Sequence, residues 1–363
     1  MAHAISEIAQ ALGAEVLGDG SILIESLKEP ADAGENDLAL AMKPEFAEAL
    51  PKGAARAAML WEGADWKAMG LKAAIVAPRP RMALAGLTRM YDKGHGYPTG
   101  IHPTAIIDPT AEIGEGVSIG PFSIISAGAK IGAGSLLAPQ VFVGPDSVIG
   151  EGSYLHVGAR IGPRVTIGAR FIGHQNCVVG SDGFSFVTPE AGSVEQARST
   201  LGGQVELRPQ SWVRIQSLGA VVIGDDVELG AQTCVDAGTI RPTRIGNGTK
   251  IDNLGHVGHN VVIGHDCLFA AFVGIAGSTT IGNNVVFGGR VGLSDNITIG
   301  DGVVCGGGSA VLTSVPAGRV MLGYPAVKMD THLETYKLSR RLPRLFKQVA
   351  ELQKAVFKSE KND

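Results

Sequence analysis

Three histidines, His256, His259 and His265, crowd into the segment IDNLGHVGHNVVIGHD at 251–266. An imidazole titrates close to neutrality, which makes it the first side chain to consider for proton transfer or metal ligation. Taken singly, each is equally well read as a solvated turn residue. Their meaning depends on the scaffold that carries them, and that scaffold is legible as a repeat.

Stepping by six from Ile101 meets Ile107, Ile113, Ile119, Ile125, Ile131, Leu137, Val143, Ile149, Leu155, Ile161 and Ile167. Two residues before each lies a second register of small or β-branched side chains, among them Ala105, Ala111, Val117, Ser123, Ser135 and Ser147. Alternation along a strand puts both registers on one face. The pattern lapses after 168, restarts at Ile223, Leu229 and Val235, and shifts by four residues. It then runs Ile245, Ile251, Val257, Ile263, Phe269, Ile275, Ile281, Phe287, Leu293, Ile299, Cys305 and Val311. A fixed short period is the mark of a solenoid. Each hexad supplies a strand and a turn, and three hexads close a triangular coil of about 18 residues with aliphatics inside. The expected fold is mainly β: a parallel β-helix over 99–322 with an irregular insertion at about 169–222.

The flanks differ. Residues 1–98 lack the hexad and read as an α/β domain, with a short helix at SEIAQALGA opened by Ser6 and buried strands near LALAM and AAIVAP. After the GYPA turn at 323–326, the extension 323–363 carries Leu342, Leu345, Phe346, Val349, Leu352 and Val356 at helical spacing. Lys337, Arg340, Arg341, Arg344, Lys347, Lys354 and Lys358 make it the basic segment of a chain whose formal net charge is −4. That balance argues against a nucleic-acid binder. The 51 glycines and 5% aromatics fit a backbone that turns often around an aliphatic core. Four scattered cysteines without CxxC spacing, no export signal and no long apolar run point to a reduced, cytoplasmic protein without a transmembrane segment.

The coil length converts sequence separation into proximity. His259 and His265, six apart, fall on different sides of one triangle and cannot share a metal within one chain, so no metal is expected. Adding 18 to 259 gives 277, the glycine of GIAGST. An imidazole beside a backbone N–H is the pairing that acyl transfer requires, a base for the nucleophile and a donor for the oxyanion. Gly274, Gly292 and Ala310, also 18 apart, align as small outward residues, either a groove for an acyl chain or a surface packed against another subunit.

These residues resemble the UDP-3-O-(3-hydroxyacyl)glucosamine N-acyltransferases of lipid A biosynthesis. The motifs are GDG at 18–20, HPTAIIDPTAEIG at 102–114, GSDGF at 180–184, IDNLGHVGHNVVIG at 251–264 and GYPA before a terminal helix. The resemblance implies a left-handed β-helix, a homotrimer with sites between subunits, and a UDP-sugar acceptor held by the N-terminal domain. It implies His259 as general base, Gly277 N–H as oxyanion donor, and Asp252, Asn253, His256 and Asn260 on the active-site segment. The donor would be the 4'-phosphopantetheine thioester of acyl carrier protein, with no permanently bound cofactor, and the carrier's acidic helix would meet the basic extension.

The chain departs from the family pattern in three places. Asn296 stands in the slot of a second histidine, Ala237 interrupts Asp-Arg-Gly, and Lys43-Pro44-Glu45-Phe46 replaces the uracil-contacting Asn-x-x-Tyr, leaving Phe46 to stack on the base. The alternatives are the sister O-acyltransferase acting on UDP-N-acetylglucosamine, which usually lacks an N-terminal domain, a coenzyme A-dependent acetyltransferase, and a structural β-solenoid.

Overall fold

The computed structural model describes residues 2–200, 209–323 and 326–359. The chain divides into two compact units, Met1–Gly96 and Tyr97–Asp363.

In the first unit, strands Glu15–Gly18, Ala73–Val76, Ala57–Leu60, Asp37–Leu40 and Ser26–Lys28 lie in that order in one sheet. All pairs are parallel except the first. Both faces are buried, as parallel sheets demand. Met59 and Ile75 pack with helix residues Ile5, Ile8 and Leu87, whereas Ala58, Leu60 and Ala74 pack under Leu50 and Leu71. The first helix, Ile5–Leu12, starts one residue before Ser6. Ala4 is its cap, with the Glu7 carboxylate accepting the Ala4 N–H at 3.0 Å, while the Ser6 N–H donates to the Gly20 carbonyl.

The second unit is a left-handed parallel β-helix with three sheets of ten, ten and nine strands. The first face runs from Ser118–Ile119 to Val320–Met321, the second from Ile106–Ile107 to Ala310–Val311, and the third from Glu112–Ile113 to Thr298–Ile299. Residues 18 apart pair in parallel register, as in Ile131 with Ile149 and Ile263 with Ile281. The aliphatic register fills the interior: Leu137, Val143, Leu155, Ile161 and Val257 have no exposed surface. Each such side chain contributes about 1.5–3 kcal/mol of burial.

The second register stitches the coils together. Ser123, Ser135 and Ser147 donate to the carbonyls of Ala138, Gly150 and Gly162, and accept the N–H groups of Val141, Ser153 and Val165 in the next coil. A buried hydroxyl that both donates and accepts carries little desolvation penalty. Corner residues adopt left-handed backbone, including Asn260, Ser278 and Asn296 at φ 61, 61 and 57°.

The expected insertion is narrower than 169–222. Strands Ile172–Gly173 and Val178–Ser181 remain in the stack, and the excursion spans 182–220. The hexad lapses there because volume moves between registers. Gly173 occupies the aliphatic position opposite Leu155, and fully buried Phe171 fills the space, 3.0 Å from where a Cβ on Gly173 would lie. The four-residue shift is a loop at 237–242, after which Val235 pairs with Val257, 22 residues on.

The terminal helix spans Met329–Ser359 and its described side chains are exposed. Of the GYPA turn, Tyr324 and Pro325 lie outside the described residues. Among the described residues no helix is long and apolar enough to cross a membrane.

Two outcomes check this core. Phe269 and Phe287 stack at 4.6 Å between coils, so Phe269→Ala is expected to cost about 3–5 kcal/mol in denaturant unfolding. Burial pushes the Cys177 thiol up to about 12, so mass spectrometry should find it unalkylated in the folded protein at mildly alkaline pH and modified after unfolding.

Candidate active site

Strand His256–Val257 on the second face points Val257 inward, and by alternation His256 points outward. The chain then turns through Gly258, His259 and Asn260 into Val262–Ile263 on the third face. His259 therefore stands at a corner, half-buried.

Two glycines hold its ring. A Cβ on Gly277, one coil away, would lie 2.8 Å from His259 Nε2, and a Cβ on Gly183 would lie 2.7 Å from His259 Cβ. Any side chain at either position would displace the imidazole. Gly183 comes from the 182–220 excursion, where its N–H donates to Ser217 Oγ at 2.9 Å. The stacking predicted for Gly277 is present, whereas the contribution of Gly183 was invisible to the 18-residue rule because the excursion obeys no period.

Asn260 sets the tautomer of the ring. Its side-chain oxygen accepts the Thr239 N–H at 3.1 Å, and its amide nitrogen donates to the Arg241 carbonyl at 2.9 Å. Because a main-chain N–H can only donate and a carbonyl only accept, the amide orientation is determined. His259 Nδ1 lies 3.0 Å from the same Asn260 oxygen, so Nδ1 carries the proton of the neutral ring. Nε2 is left with a lone pair facing Gly277, the form of imidazole that accepts a proton. Thr239 and Arg241 belong to the 237–242 loop, so the break in the hexad supplies the groups that orient the base.

A groove of about 590 Å³ runs along the second face from His259. Asp236, His256, Gly258, Gly277, Ser294 and Leu312 line it, together with the predicted column Gly274, Gly292 and Ala310. Gly274 pairs with Gly292 and Gly292 with Ala310. A Cβ on Gly274 or Gly292 would meet nothing within 4 Å. Glycine there is not demanded by packing, and its effect is to leave room. Among the described residues no acceptor takes the Gly277 N–H.

The remaining predicted residues fall elsewhere. Asp252 and Asn253 occupy the corner that precedes the second face and do not line the groove, although they belong to the same segment as His259. Asn253 Oδ1 instead accepts the Ala231 N–H at 2.7 Å. Asn296 sits one coil beyond Ser278, its N–H on the Gly277 carbonyl and its side chain on Asp295, and it too stays outside the groove. Asparagine suits its left-handed corner. In the first unit, Lys43 caps the short helix Pro44–Ala47, with Nζ 5.9 Å from the centre of the exposed Phe46 ring. Cys234, Asp236 and His256 each bring one ligand-type atom within 4.8 Å of the others, a cluster that the 18-residue rule, broken at 237–242, did not reveal.

The tautomer is open to direct measurement. Nitrogen-15 NMR of the histidine rings should find the Nδ1–H form of His259, and Asn260→Ala should convert it to a mixture of tautomers while the β-helix remains folded.

Residues 110–145 match the family model for the bacterial transferase hexapeptide (six repeats). The chain is 63% identical to the UDP-3-O-acylglucosamine N-acyltransferase of Ruegeria pomeroyi over 358 residues, which cover 99% of each chain. It is 59% identical to the enzyme of the same name from Paracoccus denitrificans over 99% of this chain and 98% of that one. Among solved structures, an Arabidopsis UDP-N-acetylglucosamine acyltransferase superposes with a TM-score of 0.52 at 26% identity, over 62% of this chain and 71% of that one. With full-length identity of this order, the chain is an acyltransferase and belongs to the UDP-3-O-acylglucosamine N-acyltransferase family.

Proposed function

We propose that the protein transfers a (3R)-3-hydroxyacyl group from acyl carrier protein to the 2-amine of UDP-3-O-(3-hydroxyacyl)glucosamine, a step of lipid A biosynthesis. The observation that carries this reading is the pinned His259 ring, its Nε2 against Gly277 at the head of an apolar groove.

The substrate amine loses a proton to His259 Nε2 as it attacks the thioester carbonyl. The Gly277 N–H donates to the oxyanion that forms. A positioned base supplies roughly 100- to 10,000-fold and one oxyanion donor roughly 100- to 1,000-fold. The acyl chain lies along Gly274, Gly292 and Ala310. Phe46 stacks on uracil, with Lys43 beside it. The exposed basic residues Lys337, Arg340, Arg341, Arg344 and Lys347 of the terminal helix suit an acidic carrier. The working form is a cytoplasmic homotrimer with its sites between subunits. The pantetheine arm belongs to the donor, and the protein keeps no cofactor of its own.

The sister O-acyltransferase reaction is the second reading, favoured by the likeness to the Arabidopsis structure. That likeness covers 62% of this chain, whereas the N-acyltransferase relatives match nearly all of it.

Purified protein supplied with hydroxyacyl carrier and the 3-O-acylated UDP-glucosamine should form an amide, and His259→Ala should lower the rate at least about 100-fold. Amide formation unaffected by His259→Ala, or acylation of UDP-N-acetylglucosamine in its place, would refute the assignment. Ala310→Met places a larger side chain in the groove and should shift the preferred donor to shorter acyl chains, measured with a panel of carriers of graded length.

A further inference from the structure

The groove holds a second imidazole that the mechanism above leaves unused. Asp236 stands behind His256, with its Oδ2 3.7 Å from His256 Nε2. The two side chains differ sharply in exposure, 6% for Asp236 and 52% for His256. The register shift between Val179 and Ser181 brings Ser181 alongside Asp236. Ser181 Oγ donates to Asp236 Oδ1 at 2.7 Å, and Cys234 Sγ lies 3.7 Å from the same oxygen and 3.1 Å from Ser181 Oγ. Among the described residues no lysine or arginine pairs with Asp236. A buried carboxylate needs a partner that offsets its lost hydration, and the group facing its free oxygen is the His256 ring. Burial pushes the Cys234 thiol up, so it remains protonated and serves as a hydrogen-bonding wall.

The titratable groups lining the groove are therefore Asp236, His256 and His259. His259 is oriented by a neutral amide and serves as a base. His256 is paired instead with the buried Asp236 carboxylate. Two imidazoles in one groove, one held by an amide oxygen and the other paired with a buried carboxylate, can divide the roles of base and acid.

We infer that His256, positioned by Asp236, is the acid that protonates the departing thiolate. The inference rests on the thioester aminolysis proposed above. The amine nitrogen forms a bond to the carbonyl carbon and gives its proton to His259 Nε2. The carbon–sulfur bond then breaks, and the sulfur takes a proton from the His256 imidazolium. Amide and free thiol leave, and exchange with water removes the proton from His259 and restores the one on His256. Expulsion of a bare thiolate would be costly beside the exposed apolar side chains of Leu312 and Phe184 that line the groove.

The test compares two small hydroxyacyl donors, an N-acetylcysteamine thioester and a thiophenyl thioester, whose far more acidic thiol needs no proton to leave. His256→Gln should lower kcat with the alkyl thioester at least about tenfold, the lower range of proton-transfer effects because a thiolate is a fair leaving group. Turnover of the thiophenyl thioester should stay near that of the unaltered protein. Asp236→Asn should show the same donor dependence to a smaller degree, a pattern that a purely structural role would not produce. His259→Ala should suppress both donors. Equal losses on both donors with His256→Gln, or none on either, would overturn the inference. So would activity that is abolished by a chelator and restored by zinc, which would make Cys234, Asp236 and His256 a metal centre. Failure of the unaltered protein to acylate the amine even when supplied with the hydroxyacyl carrier would instead refute the underlying reaction.

Discussion

Every feature of the acyltransferase unit depends on the parallel hydrogen-bonded register between successive coils. Each short strand pairs with those one coil away, so a residue, its partner 18 positions on and the next one form a column. Such a ladder is rigid because each coil is bonded on both sides and its interior is filled by aliphatics. Columns of side chains can then be placed with the accuracy that chemistry requires. The groove floor is one such column, and the contact of His259 with Gly277 is another.

A regular ladder by itself makes a poor active site, since its surface repeats. Chemistry enters where the period is broken. The 182–220 excursion returns Gly183 against one side of the His259 ring, and the 237–242 loop brings Thr239 and Arg241 to Asn260. The shift beside Ser181 creates the carboxylate pocket behind His256. Stability is supplied by the repeats and specificity by the interruptions, so the interruptions carry exposed residues that the ladder supports. Trp212 and Phe184, both exposed on the excursion, belong to that second class.

The electrostatic design is correspondingly economical. Asn260 is neutral and orients the base through its side-chain oxygen. Asp236 instead sets a buried carboxylate beside its own imidazole. Two histidines three residues apart thus acquire different chemistry from the groups behind them, neither of which is adjacent to both in sequence.

The sequence by itself determined the β-helix, because hexad spacing of buried aliphatics is a local property that each coil repeats. It also determined the neighbours 18 apart: Gly277 beside His259, and Gly274, Gly292 and Ala310 in line. It misjudged the extent of the excursion, because the Phe171 ring fills the volume that Gly173 vacates and so hides the register. It placed Asp252 and Asn253 on the segment of His259, and within one chain they occupy the preceding corner of the triangle. The Nδ1–H tautomer of His259, its contact with Gly183 and the pairing of His256 with Asp236 were decided only by the tertiary structure. The physical reason is that sequence distance measures spatial distance only while the period holds, and these contacts are made by the segments that leave it.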